Sequence, residues 1–309
     1  MKNPSYAFFE GHIVPFEKAR VSVLNHALNY GTAAFGGLRG YWNEDHQEMY
    51  LFRPEDHYRR LLNSAKLLMM TFDYTPEELI EITRKLLRVE NLHGDAYIRP
   101  LIYKAEIGIG VRLHDLKEDL AITALPFDRY VANDMDAHVT ISSWRRIDDN
   151  AIPARGKITG AYANSAFIKS DAVLSGFDEA LVLTQSGHLS EGSAENIFMV
   201  RDGELITPPV TENVLEGITR GTIMEIARDE LKIPVRERPI DRTEVYLCEE
   251  LFLTGTAAQI TAVTRVDHRP IGTGRIGEIT SQLRDYFQDL VRGKLEVHRD
   301  WLTGVFQED

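Results

Sequence analysis

Along the first third of the chain apolar residues recur at two different periods. After Pro54, the positions Leu61, Leu62, Ala65, Leu68 and Met69 follow the 3.6-residue repeat of a helix face. Thr75-Pro76-Glu77-Glu78 reads as a capping box with proline at the first helical position, and Leu79, Ile82, Leu86 and Val89 continue from it as one apolar stripe. Around these two predicted helices lie β-like runs at Val21–Leu24, Tyr50–Phe52, Ala96–Tyr103 and Leu120–Leu125. The apolar pattern lapses between Phe127 and Asp134 and resumes at His138-Val139-Thr140-Ile141. This divides the chain into a small N-terminal α+β domain over 1–128, an interdomain loop over 129–137 and a larger domain over 138–309.

The second domain alternates in the same way. A helix is predicted from about Ala163 to Leu174, stopped by Gly176. Strands follow at Ala180–Thr184 and Ile197–Val200, the latter turning through Asp202-Gly203 into Leu205-Ile206. A helix after Thr219, a strand at Leu251–Thr254 and a last helix carrying Ile279, Leu283, Phe287 and Leu290 complete the series. With neither repeat nor low-complexity segment, the expectation is two α+β domains with a cleft between them.

Charge and composition narrow the function. With 35 Lys+Arg against 47 Asp+Glu in 309 residues, the formal net charge is −12 and the cations are scattered, which excludes a nucleic-acid-binding surface. At 43% apolar and 27% charged residues the chain is an ordinary globular one, long enough for a large core. The single cysteine, Cys248, fits a reducing compartment and excludes a Cys-rich zinc module. The first ten residues lack the long apolar run of a signal peptide and no stretch approaches the ~20 apolar residues of a membrane span, so a cytoplasmic protein is expected.

Several familiar motifs fail on context. Gly272-Thr273-Gly274-Arg275-Ile276-Gly277 spells a dinucleotide fingerprint ahead of a helix. The preceding segment, Arg265 to Pro270, is charged and ends in proline, so it is a poor central strand, and a glycine-rich turn is the better reading. The ten histidines form no H-E-x-x-H cluster, and no metal is assigned. Ser186, Ser190 and Ser193 lie near His188 without a nucleophile elbow.

More informative is Arg155-Gly156-Lys157-Ile158-Thr159-Gly160-Ala161-Tyr162, where a lysine sits in a Gly-bracketed segment ahead of a helix. Alone, Lys157 would be a solvated surface residue. Its possible companions are Glu191 among the small residues of Leu189 to Asn196, a helix opening at Thr219 after Gly217-Ile218, and the turn Thr254-Gly255-Thr256-Ala257-Ala258. A helix start and a small-residue turn both present N–H groups to an anion. Pyridoxal 5′-phosphate needs a lysine for its Schiff base, a carboxylate for the ring nitrogen, a phosphate cradle and a group on the phenolic oxygen. The sequence offers all four.

On these residues the chain resembles the fold type IV pyridoxal-phosphate enzymes, of the D-amino-acid aminotransferase-like α+β fold, and among them the branched-chain amino-acid aminotransferases over nearly its whole length. The matching stretches are Val23 to Thr32, Ala96 to Leu101, Ser142-Ser143-Trp144, Ser190-Glu191-Gly192, Gly217 to Arg220 and Gly255 to Ala258. The resemblance implies a small N-terminal domain, a larger C-terminal one and the cofactor in the cleft. It gives Lys157 the Schiff base and the proton shuttle, Tyr162 the phenolic oxygen and Glu191 the pyridinium proton. Arg60, with Gly217, Ile218, Thr219 and Thr256, would hold the phosphate, leaving Arg59 as a solvated neighbour.

The substrate pocket must take an aliphatic side chain in one half-reaction and the distal carboxylate of glutamate in the other. Period-2 alternation puts Tyr97 and Arg99 on one strand face, and the resemblance aims that face at the substrate. Thr256 and Ala257 would bind the α-carboxylate. Tyr30, Phe35, Gly37, Arg39 and Trp144 would form walls, with Ile109-Gly110-Val111 reaching in from a partner subunit of a homodimer or a larger assembly up to a hexamer. As plainer readings, Phe35 and Trp144 could be core aromatics and Arg39 a structural ion pair. The chain departs from the family at Gly36, commonly glutamate there, and at Ala161, usually asparagine. The expected activity is transfer of the amino group of leucine, isoleucine or valine to 2-oxoglutarate by a ping-pong route. Within the fold the rivals are a D-amino-acid or (R)-amine aminotransferase and an aminodeoxychorismate-type lyase; outside it, a nucleotide-binding protein using Gly272–Gly277.

Overall fold

The structure, a computed structural model, describes residues 3–127 and 134–307. Its internal contacts divide the chain into two compact units, one of Met1–Asp128, Gly156–Gly160 and Asp289–Asp309, the other of Arg129–Arg155 and Ala161–Gln288. The segment carrying Lys157 and the C-terminal tail therefore fold with the first unit. Of the expected link, residues 129–133 lie outside the described residues, and Ala137 already opens a strand.

The first unit is built on an eight-stranded sheet whose pairings are all antiparallel. At its centre, Ala96–Lys104 pairs throughout with Glu118–Pro126. Along its other edge it meets two short strands in turn, Leu38–Asn43 and Ala33–Phe35. Ala96, Ile98, Pro100 and Ile102 are buried, whereas Tyr97, Arg99 and Leu101 retain solvent contact, so side chains alternate between core and open face. Pro100 is tolerated in this central strand for a local reason. Its carbonyl accepts from Gly36 N at 2.8 Å, and in a strand a residue's N and O point to the same side. The missing donor thus faces the break between the two short strands.

Helices Pro54–Leu67 and Pro76–Glu90 pack on each other and against strands of this sheet. The capping box of the second forms in full: Thr75 Oγ1 accepts from Glu78 N at 3.3 Å, and Thr75 N donates to the Glu78 carboxylate at 2.8 Å. Val21–Leu24, expected as a strand, is instead a turn leading into a helix. Asn25 N donates to Ser22 O at 2.9 Å. The Asn25 side chain then caps the five-residue helix His26–Tyr30, accepting from Leu28 N at 3.1 Å. Val21, Val23 and Leu24 are exposed, so this apolar run has no core to face. At the far end of the chain, Leu302–Gly304 pairs with Glu48–Phe52. The buried Glu48 carboxylate accepts from Val305, Phe306 and Gln307 N at 2.8–2.9 Å, fastening the tail.

The second unit has a nine-stranded mixed sheet. Ala137–Arg145 runs parallel to both Glu179–Leu183 and Gln259–Val266, while Glu250–Gly255 and Asn196–Arg201 continue the sheet antiparallel. Val139, Leu181, Ile197, Met199, Leu253 and Val263 belong to its main core cluster. Helix Tyr162–Leu174 covers Ala180 and Val182 with Ile168 and Ala172. Asp202 and Gly203 both take positive φ, 52° and 71°, the geometry of the tight hairpin turn their sequence suggests.

The Gly272–Gly277 segment is a turn, with Gly272 and Gly274 at φ 51° and 73°. The following helix, Glu278–Val291, has its first amides taken by a side chain: the Glu250 carboxylate accepts from Ile279 N at 3.0 Å and Thr280 N at 2.7 Å. A carboxylate in the place a pyrophosphate would need removes the nucleotide-binding alternative. Among the described residues no helix is long and apolar enough to cross a membrane.

Thr75→Ala breaks the capping box without disturbing the core and is expected to destabilise the protein by about 1 kcal/mol in a denaturant titration.

Candidate active site

In the first unit, the lysine is positioned by its backbone. Lys157 N donates to Ser64 Oγ at 3.1 Å, and Lys157 O accepts from Phe35 N at 2.9 Å. Three residues on, Gly160 N donates to Gly31 O at 3.1 Å, an oxygen that also accepts from Thr159 Oγ1 at 2.9 Å. Gly31 ends the helix His26–Tyr30 at φ 67°, and a Cβ there would lie 2.6 Å from Gly160 Cα. Only glycine serves at such a crossing.

Around Lys157 the sheet presents a short chemical series. The Lys157 ammonium lies 4.9 Å from the centroid of the Phe35 ring, and the Arg99 guanidinium lies 4.7 Å from the same centroid. Arg99 donates to the Tyr97 hydroxyl at 2.9 Å. That hydroxyl fills the space over Gly37, where a Cβ would come within 2.3 Å of it. The result is an aromatic wall with a cation at its edge. Arg60 belongs to helix Pro54–Leu67 together with Ser64, whose hydroxyl donates to Arg60 O at 2.8 Å. Arg59 points outward, paired with Glu55 and Asp56. Gly110 N donates to the Tyr30 hydroxyl at 3.1 Å, and Ile109 and Val111 beside it are exposed.

Two expected wall residues have other engagements. Arg39 is buried with its guanidinium 3.3 Å from the Asp95 carboxylate and above the rings of Tyr41 and Phe127. Arg292 makes two further bonds of 2.9 Å to the same carboxylate. Trp144, in the second unit, stacks on Phe167 at 4.9 Å and donates to Asp171 at 2.8 Å, alongside the partly exposed residues of helix Tyr162–Leu174.

In the second unit the buried Glu191 carboxylate is held at both oxygens. Oε1 is 2.9 Å from the Arg146 guanidinium, and Oε2 accepts from Leu215 N at 3.0 Å and Asn196 Nδ2 at 3.3 Å. Asn196 Nδ2 also donates to Leu215 O at 2.9 Å, tying the strand to the loop that follows. The loop passes so close that a Cβ on Gly217 would fall 2.0 Å from Asn196 Oδ1. Gly217 is the N-cap of helix Ile218–Glu225 and supplies no capping side chain, which leaves the first-turn amides for another acceptor. Asn196 pairs with Thr254 across the sheet, so the turn carrying Thr256 and Ala257 emerges beside it. Tyr162 opens the helix Tyr162–Leu174. The structure thus groups Lys157 with Phe35, Tyr97 and Arg99 in one unit, and Glu191 with the Gly217–Thr219 and Thr256 segments in the other.

Sequence reasoning missed Arg146 and gave Asn196 no role. Both stand one residue outside, or at the end of, strands whose apolar pattern draws attention elsewhere; the only available signal was an arginine and an asparagine at strand ends near a glutamate.

A family model described as amino-transferase class IV matches residues 37–266. The chain belongs to the class IV aminotransferases. The probable branched-chain-amino-acid aminotransferase of Aquifex aeolicus is 45% identical over 303 residues, covering 98% of this chain and 97% of that one. Among solved structures, the branched-chain aminotransferase of Thermoproteus uzoniensis with norvaline superposes with a TM-score of 0.94 at 39% identity, covering 98% of this chain and 100% of that one. The Thermobaculum terrenum branched-chain aminotransferase in its PLP form gives 0.94 at 39% identity, covering 99% and 100%. In this class IV aminotransferase a Cβ at Gly36 would approach Pro100 Cγ to 2.7 Å, and Ala161 is buried.

Glu195 lies close to Glu191 in the chain. It is 3% exposed, and burial, followed by the Glu179 carboxylate, pushes its pKa up to about 8 from the ordinary 4.5. Between those values the folded protein keeps a proton that the unfolded chain has released, so the associated stability is full below about pH 4.5 and lost as the pH rises through about 8. Glu195→Gln replaces the protonated acid with a neutral amide. The variant is expected to lose less melting temperature than the parent from pH 5 to pH 9; parallel curves would contradict the assignment.

Proposed function

We propose that the protein is a pyridoxal 5′-phosphate-dependent branched-chain amino-acid aminotransferase, transferring the amino group of L-leucine, L-isoleucine or L-valine to 2-oxoglutarate and back by a ping-pong route. The observation that carries this reading is the Phe35 ring with both the Lys157 ammonium and the Arg99 guanidinium at its face. A hydrocarbon side chain can lie on the ring, and a distal carboxylate can reach the guanidinium.

The donor set fits the cofactor. Lys157 has its backbone fixed, Glu191 is already oriented by Arg146, Asn196 and Leu215, and the helix start at Ile218 keeps its amides uncapped behind a glycine that allows close approach. When bound, pyridoxal phosphate supplies an electron sink for the pair left behind when the substrate α-proton departs. Lys157 holds the cofactor covalently and then moves that proton. Glu191 accepts the hydrogen bond of the protonated ring nitrogen, and Tyr162 donates to the phenolic oxygen. Arg60 and the amides of Ile218 and Thr219, with Thr256, hold the phosphate, while Thr256 and Ala257 bind the substrate α-carboxylate. Phe35, Gly37 and Tyr97 shape the side-chain wall. Arg39, answered by Asp95, and Trp144, stacked on Phe167, take no direct part.

A homodimer completes the proposal. Val23, Leu28, Ile107, Ile109 and Val111 are exposed apolar residues, and their loops are joined where Gly108 N donates to Leu24 O at 3.2 Å and Gly110 N to the Tyr30 hydroxyl at 3.1 Å. An apolar cluster of this kind supports a subunit contact, with Tyr30 and Val111 turned to the partner's substrate.

L-Leucine and 2-oxoglutarate should yield glutamate and the branched 2-oxo acid, with D-alanine inert; preferred turnover of D-alanine would overturn the reading. Arg99→Ala should lower kcat/KM for glutamate by about 100-fold, the loss of a charge-paired hydrogen bond, and for leucine far less. Equal losses for both donors would remove Arg99 from the proposed role.

A further inference from the structure

His57 occupies the same helix as Arg60 and Ser64, three and seven residues before them, so the three side chains lie along neighbouring rows of one face. Ser64 on that face receives the Lys157 amide. The imidazole is 2% exposed, and its Nδ1 is buried without a hydrogen-bond partner. A buried ring nitrogen left unmatched is destabilising, and native proteins seldom keep one without a use.

Its surroundings specify what could match it. The charged groups acting on the ring are Arg60, Lys157 and Arg53, all cations, and together with burial, the largest cause, they hold its pKa well below the ordinary value. A neutral imidazole keeps one N–H to give. For a neutral donor with a buried, unpaired nitrogen amid three cations, the complementary partner is an anion with acceptor oxygens.

We propose that His57 is a second ligand, beside Arg60, for the phosphate group of the bound cofactor, donating one hydrogen bond through Nδ1. The inference rests on the cofactor reading above and adds to it a residue which supplies direction without charge. Arg60 brings the charge that draws the dianion in. His57 brings a donor fixed by packing, and because its ring stays neutral the surrounding cations do not repel it.

The test compares the parent with His57→Leu, which fills the space without donating, and His57→Asn, which restores an N–H of shorter reach. Circular dichroism and melting temperature establish folding. The readouts are the affinities for pyridoxal 5′-phosphate, for inorganic phosphate and for pyridoxal, together with the phosphorus-31 resonance of the bound cofactor. His57→Leu is expected to weaken pyridoxal phosphate and inorganic phosphate by at least about 10-fold and to shift the phosphorus resonance, leaving pyridoxal unchanged, with His57→Asn recovering part of the loss. A folded His57→Leu protein with parental phosphate affinity and resonance would overturn the proposal, as would equal weakening of pyridoxal. If the parent itself does not bind pyridoxal phosphate, the functional reading fails; if the parent binds it and the folded variants bind it equally well, His57 alone is misassigned.

Discussion

The backbone crossing of Gly31 and Gly160 is the constraint on which the proposed chemistry depends. A lysine amine at the end of four methylenes is a floppy group, and a proton shuttle works only if its base returns to the same place. Here the flexibility is reduced from below. The peptide on each side of Lys157 is hydrogen-bonded, to Ser64 Oγ and from Phe35 N, and the chain just beyond is pressed against Gly31 at a distance no side chain permits. The same contacts bring the Phe35 ring to the ammonium. One short segment, distant in sequence from the sheet it joins, thereby acquires both its position and its aromatic neighbour.

The second unit solves a related problem for charge. Glu191 and Glu195 are close in the chain and both buried, yet they are treated differently. Glu191 has an arginine on one oxygen and two N–H donors on the other, and is oriented before any ligand arrives. Glu195 has a single backbone donor from Ala194 and a neighbouring carboxylate in Glu179, and burial favours its protonated form. A carboxylate fixed in advance avoids reorganisation at the moment of reaction, which is the main electrostatic advantage of a folded site over water. A further charge nearby would weaken that advantage, and the raised pKa of Glu195 works against one.

What the sequence made legible follows from how local the underlying physics is. The helix at Pro76–Glu90 was readable because its capping box and apolar stripe are set within a few residues, and Tyr97 and Arg99 shared a face because strand alternation is equally local. Val21–Leu24 misled because a turn and an N-cap at Asn25 use hydrophobic residues that face solvent. Pro100 sits within a central strand because its carbonyl's partner, Gly36, places the missing donor at the break between two short strands, a contact that strand alternation does not reveal. Arg146, and the folding of Gly156–Gly160 and the C-terminal tail with the first unit, depend on contacts far apart in sequence, which no periodicity encodes. Arg39 and Trp144 were carried into the pocket by resemblance, and the structure gives each a partner of its own in Asp95 and Phe167.

The central claim, that the fixed segment exists to present one amine to the coenzyme, is tested most directly by chemical trapping. The protein is incubated with pyridoxal 5′-phosphate, reduced with borohydride, digested and mapped by mass spectrometry. A single phosphopyridoxyl group on Lys157, at one per chain, is the expected result. Label distributed over surface lysines, or concentrated on a lysine other than Lys157, would contradict it.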